Sequence, residues 1–492
     1  MQDSKQIMQG GLRLMELAAT MLCSSLAYYF STGVYNNWLL TWLAPLPLLV
    51  YTLRASTRCS ALAAFVVCFA GFSNVVFAYA QTIIPVSFLV YGNLISAVAF
   101  TSLVMLFRYL ALRKAHWIGS FLLASGWTAF EWIVAQYSKA GTIDSIAYTQ
   151  VFNLPLLQIA SITGIWGISF LLLLVPSGLA LAWHYRKNRK ICLQASLIPL
   201  CILLLTLLFG ICRLSVANQG PTVKIGMASI PVKVEDLLSR KQPQRADEMI
   251  SQYIACVERL ARSGVKLVVL PEKIAGLNLN ERAQVLDVFA AAARQYQVAL
   301  IAALDVEQDG RFYNTAYLFL PSGGNALRYD KQHLLPFSEG KYTAGEKLGV
   351  SVQKDGGVWG VAICKDMDFP EPSRAYGQAG TQLLLVPALD FKTDALLHAR
   401  VAIVRGVEYN YAVARAGQWG LLSLSDNKGR MLKMMESSGD EEAVLLVGEV
   451  QLGQGQSLYS CWGDWFAYFS AGLFVALLVF FLQLKKENGE VE

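Results

Sequence analysis

Charge is what this sequence has least of. Only 15% of its 492 residues are Asp, Glu, Lys or Arg, while 55% are apolar, and that balance excludes an ordinary soluble chain of this length. Histidine is scarce, with four residues, and none of the nine cysteines falls in a CxxC pair or a metal-ligand spacing. A zinc site is therefore not expected, and neither is any other metal or cofactor. No small-residue cleavage site follows the first apolar run before the second begins, so that run reads as a retained span and not a signal peptide. The net charge of +6 resides in short loops between apolar runs, which gives no reason to expect nucleic acid as a partner.

What is present is unevenly distributed. Up to about residue 213 the chain is a series of long uncharged stretches separated by short basic loops. From about 220 to 455 it has the mixed pattern of a globular domain, and a last apolar run at 465–484 precedes a charged tail at 485–492. A helix needs roughly 20 apolar residues to cross the hydrocarbon core. Seven stretches approach or meet that length before the globular part, at about 14–31, 36–53, 61–80, 83–107, 117–136, 157–183 and 192–212, and 465–484 is the eighth. Pro45 and Pro47 interrupt the second stretch, which bundle neighbours can tolerate. The expected fold is a multi-pass α-helical membrane bundle of about eight spans, 1–213 with 465–484, holding a layered α/β domain between its last two spans.

Loop charge orients that bundle. Thirteen basic residues fall on one side of an eight-span count: Lys5, Arg13, Arg54, Arg58, Arg108, Arg113, Lys114, Arg186, Lys187, Arg189, Lys190, Lys485 and Lys486. The opposing short loops hold Lys139 and little else. The positive-inside rule then places both termini in the cytoplasm and residues 220–455 outside it, in the periplasm of a bacterium with two membranes.

Inside 220–455 the pattern alternates. Residues 223–230, 265–270, 298–306, 314–320, 358–363 and 382–387 read as strands, and 246–263, 281–297, 372–379 and 395–410 as helices, with further strands between 412 and 434 and at 443–450. Such alternation implies layered α/β packing. Cys256, within a helical pattern, reads as core.

Three short strings, each at or just beyond the end of a strand-like run, carry reactive groups. Leu270-Pro271-Glu272 supplies a carboxylate, Tyr329-Asp330-Lys331 an amine and Ile363-Cys364-Lys365-Asp366 a thiol. Taken singly these are a turn, a surface lysine and a core cysteine. Taken together they complete a reaction. A thiol with an ordinary pKa of roughly 8.5 is mostly protonated at neutral pH and needs a base or a cation beside it. Glu272 suits the base, and later the acid that protonates a leaving group. Lys331 suits the fixed charge that steadies a thiolate and a tetrahedral oxyanion. Backbone N–H groups after Cys364, at the entry to the helix following Pro370, are candidates for the rest of an oxyanion hole.

The order and the flanks of these strings resemble the Glu-Lys-Cys set of the nitrilase, or carbon–nitrogen hydrolase, superfamily. Tyr313-Asn314-Thr315-Ala316 precedes the lysine, and Lys331-Gln332-His333-Leu334-Leu335-Pro336-Phe337-Ser338-Glu339 is similar to that family's Lys-x-His-Leu-x-Pro-Phe-x-Glu. Cys364-x-Asp366-x-x-Phe369-Pro370-Glu371 is similar to its nucleophile motif. The resemblance implies an α-β-β-α sandwich, Glu272, Lys331 and Cys364 as catalytic residues, Glu339 as a second carboxylate that holds Lys331 in position, and Asp366 in a supporting place.

The membrane part narrows this. Trp127-x-x-x-Glu131-Trp132, Ala147-Tyr148-Thr149-Gln150, Pro155-Leu156-Leu157-Gln158, residues 164–171 and Gly463-Asp464-Trp465 are similar to stretches of the apolipoprotein N-acyltransferases of bacterial inner membranes. Glu131 reads either as a carboxylate reaching headgroups or as a buried one with a structural or substrate-facing role. The sequence also departs from that family. Lys365 and Asp366 stand where an aromatic residue and Glu are usual, Lys273 stands where a small or hydroxyl residue is usual, and residues 384–388 look more like the soluble amidases. The resemblance implies an N-acyltransferase that takes a fatty acyl chain from a phospholipid, through a cysteine thioester, to the N-terminal S-diacylglyceryl cysteine of an apolipoprotein. The runner-up is a membrane-bound nitrilase-like amidase acting on a small or lipidic amide. A third reading, a non-catalytic lipid or lipoprotein binder, is opposed by the intact Glu272, Lys331 and Cys364.

Overall fold

Apolar runs without internal charge can satisfy their backbone in lipid only as helices or closed barrels, and the computed structural model has helices there. It describes residues 2–113, 117–232, 243–277, 279–354, 356–437, 442–453 and 455–489. Lys114 of the basic loops and the last three residues of the tail lie outside the described residues. The chain divides into two units, Met1–Arg213 with Asp464–Glu492, and Leu214–Gly463.

In the first unit, five helices among the described residues are long and apolar enough to cross a membrane: Thr57–Tyr79, Val86–Ala111, Ile118–Tyr137, Ile165–His184 and Arg189–Ser215. The helix Gln2–Tyr29 precedes them and Trp465–Gly489 follows the second unit. Two expected runs are broken. The run at 36–53 is two short helices, Trp38–Leu43 and Pro45–Thr52, because Pro45 has no N–H with which to continue the first. The run at 157–183 starts as the single turn Leu154–Leu157 ends and holds another, Ala160–Thr163, before Gly164, at φ +64° and ψ −167°, turns the chain into Ile165–His184. That backbone conformation is open to glycine and hardly to any other residue.

Helix Ile118–Tyr137 packs against Val86–Ala111, Ile165–His184 and Trp465–Gly489. Gly126 permits the last approach, since a Cβ there would meet the Phe474 ring at 2.8 Å. The C-terminal helix is fastened at its start. Asp464 accepts from the indole N–H groups of Trp132 at 3.1 Å and Trp166 at 2.7 Å, and the Trp465 indole donates to the carbonyl of Ile162 at 2.7 Å.

Among the described residues, the second unit is built on thirteen strands in two sheets. They are β1 (Thr222–Ser229), β2 (Leu267–Val269), β3 (Gly276–Leu277), β4 (Ala299–Gln308), β5 (Arg311–Phe319), β6 (Leu327–Asp330), β7 (Gly349–Val352), β8 (Val358–Val361), β9 (Leu383–Leu389), β10 (Ala412–Gln418), β11 (Leu421–Ser425), β12 (Met431–Glu436) and β13 (Val444–Gln451). One sheet runs β13-β1-β2-β4-β5-β6, with β3 paired to β4, and the other runs β12-β11-β10-β9-β8-β7. β1, β2 and β4 are parallel to one another, as are β8, β9 and β10. β3, β6 and β7 have no counterpart among the expected strands, being two to four residues long, too short to establish a period.

Alternation along the central strands builds the layers. Ile225 and Met227 of β1, Leu267 and Val269 of β2 and Ile301 of β4 meet Val361, Leu385 and Ala414 of the other sheet in one buried core. The intervening Ala228, Val268 and Leu300 face Tyr253, Cys256, Val257 and Phe289 of the helices Pro243–Arg262 and Leu279–Tyr296. Both faces of these strands are covered, which is why they read as unbroken apolar runs. Helix Ala395–Tyr409 packs on β10 and β11 of the second sheet. The result is a helix–sheet–sheet–helix sandwich.

Candidate active site

In layered α/β folds, ligands meet the chain beyond the carboxyl ends of parallel strands, and the three predicted groups lie there. Glu272 follows β2 through Leu270 and Pro271, and its backbone N–H donates to the carbonyl of Ala388 in β9 at 3.3 Å. Lys331 follows β6 directly, its N–H held by the carbonyl of Asn314 at 2.9 Å. Cys364 follows β8 and opens a short 3₁₀ turn, Cys364–Asp368. The helix after Pro370 begins only at Ser373, so the turn that presents the thiol is separate from the helix expected to follow it. Cys364 has φ +41°, the left-handed region that a non-glycine residue enters at a cost of about 1–3 kcal/mol. Surrounding hydrogen bonds maintain that conformation, and they centre on Asp366.

Asp366 is fully buried and accepts four hydrogen bonds: from the Tyr329 hydroxyl at 2.7 Å, and from the backbone N–H groups of Gln332 at 3.1 Å, His333 at 2.8 Å and Ile363 at 2.9 Å. One carboxylate thus ties the Lys331 loop to the Cys364 turn. Burial outweighs these bonds and pushes its pKa up from the ordinary value. The Asp366 backbone N–H donates to Ile363 O at 2.9 Å, which removes it as an oxyanion donor.

The charged core is compact. Lys331 Nζ lies 2.8 Å from Glu272 Oε1 and 3.0 Å from Glu339 Oε2, with all three side chains buried. Asn314 Nδ2 donates to both carboxylates, at 2.5 Å to Glu272 and 2.9 Å to Glu339. Burial works against the Lys331 charge, but Glu272, Glu339 and Cys364 more than offset it and hold the ammonium well above the ordinary lysine pKa. Burial, with the nearby Glu272 carboxylate, pushes the Cys364 thiol well up despite Lys331. Cys364 is therefore a neutral thiol at rest beside the Lys331 ammonium, and attack by its sulfur would require removal of that proton. Cys364 Sγ lies 3.6 Å from the carbonyl of Leu389.

The structure brings Glu272, Lys331, Glu339, Cys364 and Asp366 together. Glu131 belongs to the other unit, where its buried carboxylate has a shell of its own. It accepts from Trp127 Nε1 at 3.1 Å, Ser145 Oγ at 2.9 Å, the Ile146 N–H at 3.0 Å and Ser169 Oγ at 2.5 Å. Those donors satisfy a carboxylate that would otherwise be costly in an apolar bundle.

Several charged neighbours of the site were not identified as such from sequence. Lys273 Nζ lies 2.7 Å from Glu339 Oε1. Arg415 on β10 forms a two-pronged ion pair with Asp390, one contact at 2.9 Å, and both groups act electrostatically on the Cys364 thiol. Lys365 pairs with Asp368 at 3.1 Å, and His398 bridges Asp368 at 3.6 Å and Asp394 at 3.1 Å. Lys273 and Lys365 left a signal in the sequence, each as a residue unusual at its place. Arg415 lies on β10 and Asp390 just beyond the end of β9, with nothing between them to mark a pair. Among the described residues, Asp390, Asp394 and His398 are one group of metal-ligand types whose atoms come within 4.8 Å of one another. Burial disfavours the His398 imidazolium, but Asp394 and Asp368 push it up to about 10, and Arg415 occupies Asp390, so the group fits an ion-pair network better than a metal centre.

Residues 24–178 match the N-terminal domain family of apolipoprotein N-acyltransferases, and residues 238–460 match the carbon–nitrogen hydrolase family. Over 477 residues the chain is 29% identical to an apolipoprotein N-acyltransferase of Geobacter metallireducens, covering 87% of this chain and 88% of that protein. The chain belongs to the apolipoprotein N-acyltransferase family. Another relative of that name, from a Nostoc species, is 27% identical over 376 residues, covering 70% of this chain and 73% of its own. Among solved structures, an amidase from a Nesterenkonia species covers 48% of this chain and 93% of its own at 21% identity and a TM-score of 0.39. The two family matches and the relatives of that name make the chain an acyltransferase of the nitrilase type, and five of its described helices are long and apolar enough to cross a membrane.

Proposed function

We propose that this protein transfers a fatty acyl chain from a phospholipid to the α-amine of an S-diacylglyceryl cysteine at an apolipoprotein N-terminus. The observation that carries the reading is that one chain matches the family over both of its parts, bundle and hydrolase domain. In the first step Cys364 Sγ attacks the ester carbonyl while Glu272 takes the thiol proton. Lys331 balances the oxyanion, the ester C–O bond breaks, and Glu272 returns the proton to the departing lysophospholipid. In the second step the amine attacks the thioester, a C–N bond forms, the C–S bond breaks, and the proton passes through Glu272 back to the Cys364 sulfur. No metal or cofactor takes part.

Transfer and hydrolysis differ in what discharges the thioester, and only exclusion of water favours the amine. Acyl-enzyme formed with labelled phospholipid is expected to persist for minutes alone and to discharge rapidly to an amide when a diacylated cysteinyl peptide is added. Decay to free acid at the same rate with and without peptide would leave the membrane-bound amidase instead.

The same reading counts Gln2–Tyr29, the broken Trp38–Thr52 run and the C-terminal helix with the five long helices, giving eight spans, with both termini cytoplasmic and the catalytic domain periplasmic in the bacterial inner membrane. The basic loops support it. Reporters fused near residue 300 and near residue 488 are expected to fall in opposite compartments. The same compartment for both would overturn the eight-span count.

A further inference from the structure

Two carboxylates and one lysine do not balance. Glu272 and Glu339 both hold Lys331 Nζ, and both accept from the single Nδ2 atom of Asn314. Carboxylates held that close repel, and one of such a pair ordinarily takes up a proton. A protonated base cannot accept the proton of a thiol. We infer that Lys273 is a positioning residue of this site, supplying the second positive charge that keeps Glu272 and Glu339 ionised together and so extends the working range of Glu272 to lower pH.

The placement of Lys273 supports this. Its ammonium lies 2.7 Å from Glu339 Oε1, with 6% of the side chain exposed, and 4.3 Å over the ring of Tyr342. Tyr342 in turn donates to Asp305 Oδ2 at 2.7 Å. The backbone of Lys273 has φ +54°, a conformation in which an unbranched non-glycine residue is uncommon, and it turns the side chain into the site immediately after the base. Lys273 interacts electrostatically with Glu272 as well as with Glu339. Burial works against the Glu339 charge, and Lys331 and Lys273 together reverse this, holding its carboxyl well below the usual range. The other charged groups near the thiol are balanced otherwise: Asp390 by Arg415, and Asp366 by its four donors. Removing the Lys273 charge therefore leaves Glu272, Glu339 and Lys331 with a net negative charge in a buried place.

The sign follows directly. Loss of a positive neighbour raises a carboxylate pKa, so the base is protonated up to a higher pH and the acid limb of the rate profile moves upward. The inference rests on Glu272 as base and Cys364 as nucleophile, so its test uses two readouts that fail separately. Full-length wild type, Lys273→Met, Lys273→Gln and Lys273→Arg would be compared between about pH 5 and pH 9. The readouts are acylation of Cys364 by labelled phospholipid and alkylation of Cys364 by iodoacetamide, each followed by mass spectrometry of the Cys364 peptide. Both neutral variants are expected to shift the acid limb up by about one pH unit, a roughly tenfold loss at its foot, with the plateau changed less than about threefold. Arginine is expected to restore the limb. A shifted alkylation limb in a protein that phospholipid does not label would sustain Lys273 and remove the proposed substrate. An unmoved limb in both neutral variants, or an equal loss at every pH that arginine does not restore, would reduce Lys273 to a space-filling residue.

Discussion

Cys364→Ala is expected to abolish acyl-enzyme formation while leaving the fold in place. Incubation with labelled phospholipid should leave a hydroxylamine-labile label on the wild-type Cys364 peptide and only background on the variant. The loss should be complete because no neighbouring group can replace the sulfur: Glu272 and Lys331 are bound to each other and to Glu339 or Asn314. The fold should survive because the turn is held by the Asp366 carboxylate and not by the thiol, which lies 3.6 Å from Leu389 O. Persisting label on the alanine variant would move the nucleophile elsewhere. Cys256 is buried among the helices that cover the first sheet, at 3% exposure, so the exposed Cys461 would be examined first.

Glu272→Gln separates proton transfer from scaffolding. The amide keeps the length and an oxygen for Lys331 and Asn314, and it cannot take a proton from the thiol. General base catalysis contributes about 10²–10⁴-fold, and a loss of that order in the acylation rate is expected with membrane insertion unchanged. Near-normal turnover would make Glu272 a strand-end carboxylate. Glu339 would then be the remaining candidate, although it is engaged by Lys331, Lys273, Asn314 and the Leu335 N–H at 2.7 Å, and so is poorly placed to accept a proton from Cys364.

Much of the catalytic domain is legible in sequence because its central strands are buried on both faces. The expected strand at 223–230 is observed as Thr222–Ser229 and the expected helix at 395–410 as Ala395–Tyr409, since a long apolar run or a sustained helical period leaves few alternatives. β6 and β7 are not legible. Four residues such as Leu327-Arg328-Tyr329-Asp330 become a strand through pairing with β5, a partner that the local pattern does not name. The membrane runs behave likewise: their apolar length is plain, but the break at Gly164 depends on a backbone turn inside a stretch that stays apolar on both sides.

The sequence by itself determined the division into apolar bundle and globular domain, the layered α/β class, and the residue types of a thiol chemistry in Glu272, Lys331 and Cys364, because hydrophobic period and reactive side chains are local properties. Tertiary structure alone decided how the charges are shared. Lys365, adjacent to Cys364 in sequence, pairs with Asp368, while Lys273, distant from Glu339 in sequence, pairs with it at 2.7 Å. Asp366 became the tie between two loops only when β6 and β8 brought Tyr329, Gln332, His333 and Ile363 around it. Electrostatic energy in a buried site depends on distances of a few ångströms and on the loss of water, and both are set by how strands from two sheets end beside one another, which no single stretch of the chain encodes.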